Sequence, residues 1–397
     1  MVITEQVRVQ SACVIGGVIT VGIARFSYTP MLPEMVDGIG LTESVAGFLA
    51  AANYAGYLCG ALIVSFLHCI SFKVALYKCS LFVAAITTLG MAVTVNEEIW
   101  YLMRFLSGLS AAGGVLLGGG LLMHWLRENK AKPELGIFFS SLGIGIVLTA
   151  VTAEMIKTSF SWDQQWLIYG LLASVLIIPV LFWFPSFGHL VKTTGSVNIQ
   201  TKPSRLFFVI LQSAYFCAGF GYVVTATFLV AIVEMLSGLE GQGWAVWLWV
   251  GIAAAPGCWL WDLYARKAGL WSALLLAYLV NAASVALLLI EQSQWTVYSS
   301  AVLYGFSFIG IVSMTLSMMG RLYPSNPSKP MSHLTFSYGM AQVIAPALVG
   351  VLAQKSGSFS EGLSITLAIL GVGTVLLVCA SILLKRSSAV LSINSAS

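Results

Sequence analysis

The stretch PSFGHLVKTTGSVNIQTKPSR, residues 185–205, decides the architecture, because it is the one long polar connection in an otherwise apolar chain. It is basic, through Lys192, Lys202 and Arg205, and rich in Ser and Thr. On either side the sequence breaks into apolar runs of about 20 residues, enough to cross a hydrocarbon core of roughly 30 Å. The remaining breaks are short: NEE at 96–98, RENKAKPE at 127–134, SWDQQ at 161–165 and YPSNPSKP at 323–330. Twelve spanning helices result, over 9–29, 44–67, 74–95, 99–123, 135–156, 166–184, 206–231, 244–264, 270–290, 296–319, 331–354 and 362–384. The connection divides them six and six. The expected domains are an N-terminal bundle (1–184), a cytoplasmic linker (185–205) and a C-terminal bundle (206–397).

Composition agrees with an all-α membrane protein. Of 397 residues, 58% are hydrophobic and 9% charged, where a soluble domain carries about 25% charged residues. The net charge of +4 is small and scattered, which argues against a nucleic-acid partner. The seven cysteines show no metal-ligand spacing and none falls in an expected outer loop, so neither a metal nor a disulfide is expected. The first apolar run ends in Arg25 and lacks a small-residue cleavage site, and it reads as a spanning helix rather than a signal peptide.

Lys and Arg set the expected orientation. With both termini inside, fifteen of the nineteen, from Arg8 to Arg386, face the cytoplasm, and only Lys157 and Lys355 lie outside. Arg25 and Arg104 fall within the membrane. That bias follows the positive-inside rule, and the expected location is a bacterial cytoplasmic membrane.

The second half repeats the first at an offset of about 197: Gly22 maps to Gly219, Gly60 to Gly257, Gly108 to Gly305 and Phe139-Ser140 to Phe336-Ser337. An even number of spans per repeat gives the halves the same orientation, the plan in which substrate binds between two rocking bundles near the midplane.

The segments GIARFSYTPMLP (22–33), AAANYAGYLCGAL (50–62), RFLSGLSAAGG (104–114) and APGCWLWDLYARKAG (255–269) carry a resemblance. Over essentially its whole length the chain resembles the major facilitator superfamily, and within it the poorly characterised YbfB/YjiJ branch. The spacing Arg104-x-x-x-Gly108-x-x-x-Ala112 is similar to the superfamily's helix 4 motif. Its loop 2–3 motif, Gly-x-Leu-x-Asp-Arg-x-Gly, is matched at Gly60 and Leu62, but Val64 stands where the Asp should be. In the 8–9 counterpart Arg266 takes the acidic place. This departure bears on the superfamily's cytoplasmic charge lock and leaves the fold untouched. The resemblance implies a secondary transporter with two parallel-oriented six-helix bundles.

Arg25 and Arg104 are the sharpest chemical feature. An arginine at mid-helix costs about 2.5–3.5 kcal/mol on insertion scales, so each should face a cavity or a partner. At a rise of about 1.5 Å per residue the two lie at nearly the same depth. One reading is a pair of forks for a carboxylate, phosphate or polarised carbonyl of the substrate; the other is structural, each arginine fixing helix packing through backbone carbonyls or a neighbouring acid. The resemblance adds a third role, coupling, for Arg104. Glu154, Glu234 and Asp262 are the other candidates to carry a coupling proton, each with the alternative of a plain interfacial charge.

Polar residues on apolar helices complete the candidate substrate site: Tyr28, Asn53 and Tyr57 in the first half, and Tyr222, Thr225, Tyr304, Tyr338 and Gln342 in the second. Tyr28 follows Arg25 by three on a shared helical face; Asn53, Gly56, Tyr57 and Gly60 form an i, i+3, i+4, i+7 stripe. Charge in one half and rings in the other suit an amphipathic organic anion. Trp244, Trp247 and Trp249 read as an interfacial belt, and Gly113, Gly114, Gly118, Gly119 and Gly120 as sites of close helix contact.

No zinc-protease or serine-hydrolase motif and no phosphate-cradling loop is present, so neither an enzyme nor direct ATP drive is expected, and no cofactor is called for. The expected function is proton-coupled transport of a small solute by a monomer, export preferred over uptake. A lipid flippase or scramblase and an uptake permease are the alternatives.

Overall fold

The computed structural model describes residues 2–131, 136–185, 204–290, 293–323 and 328–394. The connection expected at 185–205 lies, over 186–203, outside the described residues, as do Lys132, His189, Lys192, Lys202 and Glu291.

Among the described residues, twelve helices are long and apolar enough to cross a membrane: α1 (Glu5–Ile39), α2 (Glu43–Ser65), α3 (Ile70–Gly90), α4 (Glu97–Glu128), α5 (Gly136–Ile156), α6 (Trp162–Trp183), α7 (Arg205–Glu234), α8 (Gly243–Ala268), α9 (Leu270–Ile290), α10 (Gln294–Leu322), α11 (Pro330–Ser356) and α12 (Ser360–Leu384). Polar side chains start several of them. Asn96 accepts hydrogen bonds from the amides of Glu98 and Ile99 ahead of α4, and Thr42 and Ser204 cap α2 and α7. Large apolar side chains such as Phe66, Phe182 and Trp295 point outward, the pattern of a bundle whose solvent is lipid. An even number of spans brings residues 5 and 384 to one end of the bundle, the proximal end; the opposite end is distal.

The first helix corrects the expected limit of 29. It continues through Pro30 and Pro33 to Ile39 and stops where Gly40 adopts a positive φ of 69°. The physical reason is a π-helical section, Val18–Phe26, after which regular α-helix restarts at Tyr28. Pro30 then sits in a first turn, where its missing N–H costs little. The Ser27 hydroxyl donates to the Ile23 carbonyl at the break. A second π-helical section, Gly113–Leu117, lies in α4.

The halves obey the sequence repeat in detail. A Cβ at Gly60 would strike the Leu109 carbonyl, and one at Gly257 the Phe306 carbonyl; Gly108 abuts the Asn53 carbonyl, and Gly305 that of Val250. The same offset relates each of these pairs to its counterpart, so α2 packs on α4 as α8 packs on α10. The stripe of Gly56 and Gly60 is therefore a helix contact surface. Gly113, Gly114, Gly118 and Gly119 also meet neighbouring helices closely, whereas Gly120 faces open space.

Two seams join the halves, α2 against α11 and α5 against α8, and the distal part of α1 meets α7. Trp247 lies in the α5–α8 seam, which corrects its assignment to an interfacial belt. Its indole is fully buried, donates to Thr149 Oγ1 at 3.3 Å and takes the edge of Phe26. Of that cluster Trp249 alone is exposed.

A candidate substrate site between the halves

The π-helical section of α1 ends on the groups that build the site. Arg25, 7% exposed, donates from Nε to Asn53 Oδ1 at 2.9 Å. The Asn53 Nδ2 donates in turn to the Arg104 carbonyl at 3.0 Å and to Ser107 Oγ at 3.2 Å. Arg104 Nη1 and Ser107 Oγ both donate to the Ala24 carbonyl, at 3.1 and 2.8 Å. Helices α1, α2 and α4 are thus tied by one polar network with Asn53 at its centre. Asn53 is fully buried, with both Nδ2 donors and one lone pair of Oδ1 engaged, and so ties the Arg25 side chain to the backbone of Arg104.

Aromatic faces take up the rest of the guanidinium surface. Arg25 lies 4.6 Å from the ring centres of both Tyr54 and Tyr57, and Arg104 lies 4.3 Å from that of Tyr28. Such contacts contribute about 0.5–2 kcal/mol each, part of the cost of burying the charge. Tyr28 therefore packs on Arg104 rather than on Arg25 as its spacing suggests, since the helix changes its winding between residues 25 and 28. Its hydroxyl donates to the Ala46 carbonyl.

Neither arginine forms an ion pair among the described residues. Arg25 Nη2 and Arg104 Nε are buried without a hydrogen-bond partner. Two positive charges thus stand at the centre of the bundle with rings around them and, among the described residues, no carboxylate paired with them.

The second half answers with rings. Tyr54 meets Tyr222 edge-on at 6.3 Å across the divide. Tyr222 is flanked by Tyr304, Phe308 and Tyr338. The Tyr304 hydroxyl donates to the Tyr222 carbonyl, much as Ser107 at the equivalent position donates to Ala24. Thr225 turns back to the Gly221 carbonyl of its own helix, and Gln342 is buried on α11.

The three acids stand apart, each with a partner near a helix end. Glu154 pairs with Lys157, Asp262 with Arg266, and Glu234 accepts from the amides of Gly241 and Gly243. The sequence reading missed Tyr54, Ser107 and Phe308. Tyr54 had a signal, since it sits three residues from Tyr57 on the same helix. A cavity of about 500 Å³ opens farther distally, lined by both halves, with Glu34, Asp37, Glu43, Glu234 and Glu240 on its wall. Thr29, hydrogen-bonded to Ala226, and Phe26, against Trp247, lie between it and Arg25.

Two repeats of six membrane-spanning helices around a polar and aromatic centre define a protein of the major facilitator fold. Residues 17–384 match the family described as the uncharacterised MFS-type transporter YbfB, and the chain belongs to that family. This places it among transporters rather than enzymes, as the motifs in 22–33 and 104–114 suggest. The nucleoside transporter NupG has the same fold, with a TM-score of 0.71 at 12% identity over 96% of this chain and 99% of that one. A bacterial homologue of the human lysosomal transporter Spinster, in an inward-facing, occupied conformation, gives 0.68 at 13% identity, over 94% and 96% of the two chains. Curated relatives include the putative transporter AraJ of Escherichia coli (strain K12), 21% identical over 43% of each chain. The efflux pump radE of Floropilus chiversii is 20% identical over 46% of this chain and 36% of its own. The chain thus spans less than half the length of these relatives.

Proposed function

We propose that this transporter carries a small amphipathic organic anion, bound between the halves with Arg25 as its anchor and Arg104 as the second cation of the path. The observation that carries this reading is a pair of buried guanidiniums with unpartnered N–H groups and no acid in contact among the described residues. Uncompensated buried charge is costly, and an incoming anion would satisfy both the charge and the free donors. Tyr57, Tyr222, Tyr304 and Tyr338 supply the apolar wall, with Tyr28 and Asn53 holding the arginines in place.

The halves 1–184 and 206–397 rock about the path, with 185–205 joining them, in a bacterial cytoplasmic membrane with both termini inside. Transport is coupled to the proton gradient, with Arg104, Glu154, Glu234 and Asp262 as candidate coupling groups, and runs outward. The likeness to a relative named as an efflux pump favours that direction.

Counterflow in proteoliposomes tests the reading. Saturable exchange of an organic acid by wild type, lost in Arg25→Ala and Arg104→Ala, is expected. Exchange of a cationic solute that survives both substitutions would overturn it. Accumulation indifferent to collapse of the pH gradient and potential would remove the coupling part alone.

A further inference from the structure

The aromatic wall of the proposed anion site narrows the substrate. Tyr222 and Tyr304 lie 6.5 Å apart with 23° between their planes, and Tyr222 and Tyr338 5.9 Å apart at 27°. Tyr304 and Phe308 lie 5.2 Å apart at 22°. These rings come from α7, α10 and α11, yet their planes are nearly aligned. Packing of aliphatic chains asks only for apolar area, whereas aligned faces favour a planar partner that stacks with an offset. The Tyr304 hydroxyl is engaged with the Tyr222 carbonyl and its buried ring stacks on Tyr222 and Phe308, so a ligand ring would enter by extending this stack.

The cation side is equally restricted. Asn53 occupies Arg25 Nε, which leaves the two terminal nitrogens without a hydrogen bond to any described residue. That edge is a fork for one carboxylate. Arg25 stands 4.6 Å from the Tyr54 ring centre, and Tyr54 stands 6.3 Å from Tyr222. One ring therefore separates the fork from the aligned faces, the reach of an arylcarboxylate or arylacetate and far less than that of a long-chain amphiphile.

We infer that the substrate is a small planar aromatic carboxylate, its carboxylate on the terminal nitrogens of Arg25 and its ring against the faces of Tyr222, Tyr304 and Tyr338. The inference rests on the anion reading above and adds the aromatic half to it.

The test is binding to the purified full-length protein, read by calorimetry and by ligand-induced thermal shift. The probes are benzoate and indole-3-acetate, cyclohexanecarboxylate and hexanoate as acids without a planar ring, and neutral indole. Aromatic acids are expected to bind about five- to ten-fold tighter than the saturated ones, the scale of one or two ring contacts. Tyr222→Phe should keep that preference, and Tyr222→Leu should bring it within about two-fold. Equal binding of aromatic and saturated acids by wild type would overturn the inference and leave the anion reading standing. Binding of indole with no binding of either class of acid would overturn the anion reading itself.

Discussion

Thr29 donates its hydroxyl to the carbonyl of Ala226 at 2.6 Å, and the two residues are separated by 197 positions, the offset between the repeats. A residue that touches its own counterpart lies on the axis relating the two halves. Thr29 follows Arg25 by about one helical turn, and Phe26 meets Trp247 beside it. The two contacts lie between the arginines and the distal cavity. In an alternating-access cycle they must separate for the site to open distally.

Tethering that axis should therefore arrest the proposed cycle. With the seven native cysteines replaced, Cys introduced at 29 and 226 and joined by a short thiol cross-linker should abolish counterflow, and cleavage of the linker should restore it. Each single substitution should stay active under the same treatment. Full transport by the cross-linked protein would show that this contact does not move.

Asn53 gives a prediction that separates positioning from packing. Asn53→Ala deprives Arg25 and Ser107 of buried partners, so stability should fall by about 1–3 kcal/mol and anion affinity with it. Asn53→Asp places a carboxylate within reach of Arg25 Nε and supplies the missing countercharge from within. It should retain more stability than Asn53→Ala and bind anions more weakly. Melting temperature and affinity moving in opposite directions is the signature, and a purely structural role would move them together.

Much of this was legible in the sequence because membrane physics penalises ambiguity. An apolar run of spanning length has few alternatives in lipid, and the long connection at 185–205 split the twelve runs evenly. Arg25 and Arg104 stood out because a charge at that depth is expensive. What stayed hidden depends on winding and facing. The end of α1 was misplaced by ten residues because the π-helical section that accommodates Pro30 has no mark in composition. Trp247 looked like its exposed neighbour Trp249, and only the α5–α8 seam distinguishes them. Tyr54 was passed over because it lies off the Asn53–Gly60 stripe, although it is the ring that joins Arg25 to Tyr222.

The repeated glycines predict matched sensitivity. Gly108 and Gly305 occupy equivalent positions, and a methyl group on either would drive into a backbone carbonyl of the partner helix. Overpacking of this kind costs about 1–3 kcal/mol. Gly108→Ala and Gly305→Ala should each lower the melting temperature in detergent, whereas Gly120→Ala, with nothing within 4 Å of the new carbon, should be neutral or stabilising. A drop at Gly120 as large as at Gly108 would contradict the packing account.

Lys157 links the halves at the distal end. It pairs with Glu154 of α5 and donates to the Gly241 carbonyl at 3.1 Å, while Glu234 of α7 holds the amides of Gly241 and Gly243. The loop between α7 and α8 is thus gripped from both sides, and loss of Lys157 releases one of them. An exposed pair of this kind contributes about 0–1 kcal/mol, enough to shift an open–closed balance up to roughly five-fold. With Cys at 29 as a reporter, Lys157→Met should raise the rate of modification by a membrane-impermeant maleimide by about two- to five-fold, and Lys157→Arg should not. High salt, which screens exposed charges, should reproduce part of the Met effect in the wild-type background. A modification rate that ignores both substitution and salt would exclude Lys157 as a latch on the distal closure.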